Sequence, residues 1–124
     1  MRILGIDPGT GIVGFGVIDA DGMKKTMVDA GVIRTQAKLP PQERLLTIFN
    51  EITEIIEFNK PQIMVVEQLF FAKNVTTAMT VSQARGVILL AGEQAGLVIA
   101  EFTPLQIKQA LTGYGKADKK QVQE

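Results

Sequence analysis

The sequence predicts an α/β fold built on one mixed sheet, with an antiparallel meander on one side, parallel strands on the other and helices on its faces. Three observations predict it. Strand-like runs near the start are joined by glycine-bearing turns. A long amphipathic stretch follows them. The remainder alternates β-branched runs with helical stretches, the pattern of right-handed parallel crossovers.

Taken in order, RILGID (2–7) is a short, largely apolar strand and VGFGVID (13–19) a second, with the turn PGTGI between them. The Asp21-Gly22 turn signal leads into MVDAGVIRT (27–35), which alternates as a hairpin partner should. Pro40 and Pro41 then open a helix. Its apolar residues Leu45, Ile48, Phe49, Ile52, Ile55 and Ile56 recur every three to four positions with glutamates opposite, and Asn59 and Pro61 stop it. QIMVVE (62–67) has the continuous β-branched character of a strand buried on both faces.

A helical stretch from Thr76 to Gln94 follows, then the buried strand LVIAEF (97–102) and a short helix over PLQIKQALTG (104–113). Within the long helix, GVILLAG (86–92) is apolar all round, so it is sandwiched within the domain or packed against a second copy. Asp118 and Gln121 form a capping-box pattern near the end, with too few residues after it for a stable helix. The reading is therefore one domain over residues 1–124 that lacks its C-terminal helix or helices.

Composition narrows the chemistry. The 124 residues include no Cys and no His, which removes disulfides, thiolate nucleophiles and every histidine relay. A metal would be held by oxygen ligands, favouring Mg²⁺ or Mn²⁺ over zinc or copper. Net charge is zero, but its distribution is uneven. Glu43, Glu51, Glu54 and Glu57 face only Arg44 in one region, while Lys108, Lys116, Lys119 and Lys120 cluster in another that can hold a phosphate backbone. No apolar run approaches the ~20 residues that span a bilayer. With no signal-peptide pattern at the start, the expected location is cytoplasmic.

Two carboxylates carry the candidate chemistry. Asp7 closes the first predicted strand and Glu67 the fourth. If those strands are adjacent and parallel, both side chains emerge at one carboxyl edge, where ligands bind in open α/β sheets. Neighbouring carboxylates repel, and one takes up a proton unless a cation lies between them. A divalent ion resolves that conflict and can activate water against a phosphodiester. Taken singly, an Asp before Pro-Gly is a turn former and a strand-ending Glu is a solvated group; the pair together is the signal.

GIDPGT (5–10), GFGVID (14–19), VEQLFFAKN (66–74), SQARG (82–86) and QIKQALTGYGKADKKQVQ (106–123), in this order, resemble the RuvC family of Holliday-junction resolvases. The resemblance runs from Met1 to Glu124. It implies a ribonuclease H-like five-stranded sheet and a Mg²⁺-dependent endonuclease (Mn²⁺ in its place), with two ions in a complete site. The implied substrate is the four-way DNA junction of recombination and repair. A homodimer and a branch-migration motor complex are the implied protein partners.

By the same resemblance Asp7 and Glu67 are the metal-binding catalytic carboxylates, and Lys108 and Lys119 are lysines near the scissile phosphate. Phe70 stacks on an unpaired base, with Lys73, Asn74, Lys116 and Lys120 as further DNA contacts; base stacking is worth roughly 1–3 kcal/mol. Phe71 is expected in the core, Asp118 as a helix cap, and Arg85 is left without a role. The family's further acidic pair falls beyond Glu124, so the chain is expected to cleave poorly. The competing readings are a catalytically inactive dimeric junction-binding module and an actin-like phosphotransferase fragment that uses PGTG as a nucleotide loop.

Overall fold

The protein is described from a computed structural model that covers residues 1–9, 11–67 and 75–102. Its elements are β1 (Arg2–Asp7), β2 (Ile12–Asp21), β3 (Lys24–Arg34), α1 (Pro41–Asn59), β4 (Ile63–Glu67), α2 (Val75–Gln94) and β5 (Val98–Phe102). They build a five-stranded sheet in the order β3-β2-β1-β4-β5. β1 pairs antiparallel with β2, and β2 with β3, whereas β1–β4 and β4–β5 are parallel. This is the mixed sheet expected from the sequence.

The hairpin runs further than its apolar pattern indicates. Asp21 and Lys24 pair across a two-residue turn, and the polar Lys24, Lys25 and Thr26 join the ladder. Backbone pairing needs no apolar side chain, and the alternation itself does not mark a core face here: along β3 only Ile33 is buried, while Met27, Val28 and Val32 are exposed.

One face of the sheet carries the core. Leu4, Ile6, Val13, Val17, Ile33, Met64 and Val66 are buried against Ile48, Ile52 and Ile56 of α1 and Ala84, Ile88 and Ala91 of α2. α1 obeys its spacing, with those isoleucines inward and Glu43, Glu51, Glu54 and Glu57 exposed. Pro41 sits at its first position, and the left-handed Lys60 closes its end, where the Lys60 N–H donates to the Ile56 carbonyl at 2.8 Å. The same end is pinned to the sheet. Arg2 donates from Nε and Nη2 to the two carboxylate oxygens of Asp19 and from Nη1 to the Asn59 carbonyl. The buried Asn59 amide donates to Asp29 on β3.

β4 differs from the doubly buried strand expected. Met64 and Val66 are fully buried, while Ile63, Val65 and Glu67 are only half-buried. The reason is that α1 and α2 cover the same face. The helix expected over 104–113 and the cap at Asp118 lie outside the described residues. α2 likewise packs on one side only: Val81, Ala84, Ile88 and Ala91 face inward, whereas Met79, Gly86 and Leu90 are exposed. No helix among the described residues is long and apolar enough to cross a membrane.

Candidate active site

Asp7 and Glu67 reach their places through strand register. In the parallel β1–β4 ladder the last paired residues are Ile6 and Val66, and each carboxylate is the next residue along its strand. Because side chains alternate, the buried Ile6 and Val66 point into the core and Asp7 and Glu67 point to the opposite face. Adjacent strands lie about 4.8 Å apart, so the two carboxylates are neighbours.

They line an open trough of about 350 Å³ together with Gly5, Gly14, Gly16 and Val65. The glycines belong to the same face. Gly14 pairs directly across from Asp7, and Gly16 across from Gly5. A Cβ on any of the three would meet nothing closer than 3.9 Å, so they leave open floor rather than tight packing. The sequence carries a signal for this, since the glycines of GFG are two apart in a strand and share a face. It is unreadable without the register that brings them beside Asp7.

Electrostatics mark the pair. The Glu67 carboxyl is raised to about 7, first by burial and then by the hydrogen bond with Asp7 and the Asp7 charge. Without a cation, Glu67 therefore holds its proton to a higher pH than an ordinary glutamate does. The donor set is two hard oxygen ligands, which suits Mg²⁺ or Mn²⁺ and not softer ions. Among the described residues no third carboxylate joins them to form a metal-binding cluster.

Behind this edge, on the helix face, Pro8, Gly9 and Gly11 are closely placed. Pro8 is fully buried, and a Cβ on Gly9 would lie 2.5 Å from the Ile12 carbonyl oxygen. Gly11 has φ +75, and its carbonyl accepts from the Thr35 N–H at 3.0 Å. Arg44 Nε donates to the Thr35 hydroxyl at 3.2 Å. A small cavity of about 70 Å³ lies among Gly9, Gly11, Thr35, Arg44, Thr80 and Gln83.

Of the residues singled out in the sequence, Asp7 and Glu67 are brought together. Phe70, Phe71, Lys73, Asn74, Lys108, Lys116, Lys119 and Lys120 lie outside the described residues. Arg85, left without a role, forms an ion pair with Glu101 between α2 and β5.

The profile of the family "Crossover junction endodeoxyribonuclease RuvC" matches residues 3–124. A Brevibacillus brevis protein of that name is 58% identical over 124 residues, which is 100% of this chain and 75% of the relative. A Fusobacterium nucleatum protein of the same name is 52% identical over 100% of this chain and 65% of its own length. The structure of Thermus thermophilus RuvC in complex with a Holliday junction substrate superposes with a TM-score of 0.81 at 32% identity, covering 90% of this chain and 69% of that one. The five-stranded mixed sheet is thus the ribonuclease H-like sheet of that protein, and the chain belongs to the RuvC family of crossover junction endodeoxyribonucleases.

Proposed function

We propose that this chain is a nuclease domain that resolves four-way DNA junctions by metal-dependent phosphodiester hydrolysis, with Asp7 and Glu67 as ligands of Mg²⁺ or, in its place, Mn²⁺. The observation that carries this reading is the pair of carboxylates on neighbouring strand ends, with Glu67 raised to about 7, beside an open trough. A bound ion supplies charge stabilisation at the phosphoryl oxygens and a water activated for attack. Asp7 and Glu67 fix its position from two rigid strands. Glu67 would bind such an ion as its carboxylate. A second ion needs ligands beyond these two.

The remaining roles rest on resemblance. Lys108 and Lys119 offset charge at the scissile phosphate. Phe70 stacks on an unpaired base, and Lys73, Asn74, Lys116 and Lys120 hold the backbone. A second copy of the chain docks through the exposed stripe Met79, Gly86 and Leu90 of α2, presenting two sites to a junction of near two-fold symmetry. A sedimentation mass of a single chain at micromolar concentration would remove that part. The branch-migration motor complex is the further partner, and the cytoplasm the place of action.

The test uses a chain carried to the full length of its relatives. Asp7→Asn and Glu67→Gln should each abolish Mg²⁺-dependent junction cleavage while the gel shift of the junction without metal persists. Continued nicking by either variant defeats the assignment.

A further inference from the structure

We propose that Arg44 is a positioning residue for the metal site. It braces the turn that follows Asp7 through Thr35 and Gly11, and so fixes where the Asp7 carboxylate stands relative to Glu67. This rests on the reading of Asp7 and Glu67 as metal ligands.

The described contacts lead from Asp7 through Pro8 and Gly9 to Ile12, and from Gly11 to Thr35 and Arg44. Asp7 is the last residue of β1, and the turn to Ile12 begins at once. Its described residues are closely placed: Pro8 is buried and the space at Gly9 is closed by the Ile12 carbonyl oxygen. Its far end is tied down at Gly11, whose carbonyl accepts from the Thr35 N–H at 3.0 Å. Thr35 in turn is held from below, because its hydroxyl accepts from Arg44 Nε at 3.2 Å. The guanidinium also borders the space beside Gly11, with Nη2 3.5 Å from where a Cβ on Gly11 would stand. A single side chain on α1 therefore bonds one end of the Gly11–Thr35 link and stands beside the other.

The charge of Arg44 is not spent on an ion pair among the described residues, where the salt bridges are Arg2–Asp19 and Arg85–Glu101. A half-buried guanidinium kept without a carboxylate partner is costly unless its planar fork does something a neutral side chain cannot. Here the fork joins a helix to a turn. Arg44 stands in the first turn and a half of α1, at the end of that helix nearest the carboxylates, while Arg2 pins the other end. Arg44 lies on the helix face and Asp7 on the open face, so its influence passes through the backbone and not through direct contact.

The experiment titrates Mn²⁺ into the 124-residue chain and reads free Mn²⁺ by electron paramagnetic resonance, with amide hydrogen exchange on the same samples. Arg44→Gln should weaken Mn²⁺ binding roughly 10-fold, the scale of lost outer-shell support, and speed exchange at the Thr35 amide while Ile52 in the middle of α1 stays protected. Arg44→Lys should behave like Arg44→Gln, because an ammonium cannot bridge Thr35 and Gly11. Thr35→Val, which removes the same link from the other side, should weaken Mn²⁺ binding in parallel and serves if the Arg44 variants do not fold.

Unchanged Mn²⁺ affinity in Arg44→Gln or Thr35→Val, with affinity lost in Asp7→Asn, overturns the positioning role and leaves the metal site standing. Full rescue by Arg44→Lys also overturns it, since charge alone would then suffice. If Asp7→Asn binds Mn²⁺ like the parent, the metal reading itself fails and this inference falls with it.

Discussion

Asp7 and Glu67 stand one step beyond the paired Ile6 and Val66 at the ends of neighbouring parallel strands, where burial, ahead of the hydrogen bond with Asp7, raises the Glu67 carboxyl to about 7. The placement follows from register. A slip of one residue in either strand would send its carboxylate into the core beside Leu4 and Met64. The apolar alternation of β1 and β4 thus holds the site as well as the fold.

Burial is the largest cause of the Glu67 shift, ahead of the hydrogen bond with Asp7 and the Asp7 charge. Asp7→Asn should therefore lower the Glu67 titration point only part of the way to an ordinary glutamate. Carbon-13 NMR of the Glu67 carboxyl in the metal-free chain reads this directly. A return to the unperturbed value would mean that Asp7 alone sets the shift.

The same shift fixes the pH dependence of stability. A carboxyl raised in the folded state binds its proton more tightly there than in the unfolded chain, so its contribution is present below the ordinary value of 4.5 and is lost as pH rises to about 7. The metal-free chain should melt at a lower temperature at pH 8 than at pH 5. Glu67→Gln should flatten that slope, and added Mg²⁺ should restore stability most at the alkaline end. A melting temperature that rises steadily over this range in the parent, with an equal rise in Glu67→Gln, would contradict the linkage.

Gly9 has no room for a side chain, its Cβ position lying 2.5 Å from the Ile12 carbonyl oxygen. Gly9→Ala should cost about 1–3 kcal/mol by denaturant unfolding, the range for strain in a tightly held turn, and should weaken Mn²⁺ binding because the turn continues directly from Asp7. Gly14→Ala meets nothing nearer than 3.9 Å. Its stability should change little, and a large loss would show that the trough floor is packed rather than open.

Burial separates two apolar residues of α1. Ile52 is 0% exposed at the centre of the core, and Phe58 is 82% exposed on the outer face. Ile52→Ala should cost about 2–5 kcal/mol, whereas Phe58→Ala should stay within about 0.5 kcal/mol, as surface changes do. Equal losses by urea unfolding would show that the outer face of α1 is covered in solution.

The element order could be read from the sequence because each element carries a local signal: Pro41 and the isoleucine spacing for α1, β-branched runs for β4 and β5, and Asp21-Gly22 for the hairpin. The convergence of Asp7 and Glu67 was legible for the same reason, since both close strands whose parallel pairing follows from a helical crossover. What could not be read depends on pairing between distant residues. The open floor made by Gly5, Gly14 and Gly16 exists only through the β1–β2 register. Arg44 reads as a lone base among glutamates until the turn at Gly11 is brought over it, and Arg85 finds Glu101 only when α2 lies on β5. The apolar run of α2 told that the helix has two apolar sides but not which one the sheet takes.

Whether Asp7 and Glu67 hold one ion between them is read from Mn²⁺-soaked crystals measured at the manganese edge. An anomalous peak should stand within about 2.2 Å of oxygens from both side chains and be absent in Asp7→Asn. A peak bound to one carboxylate alone, or elsewhere on the surface with this edge bare, would contradict it.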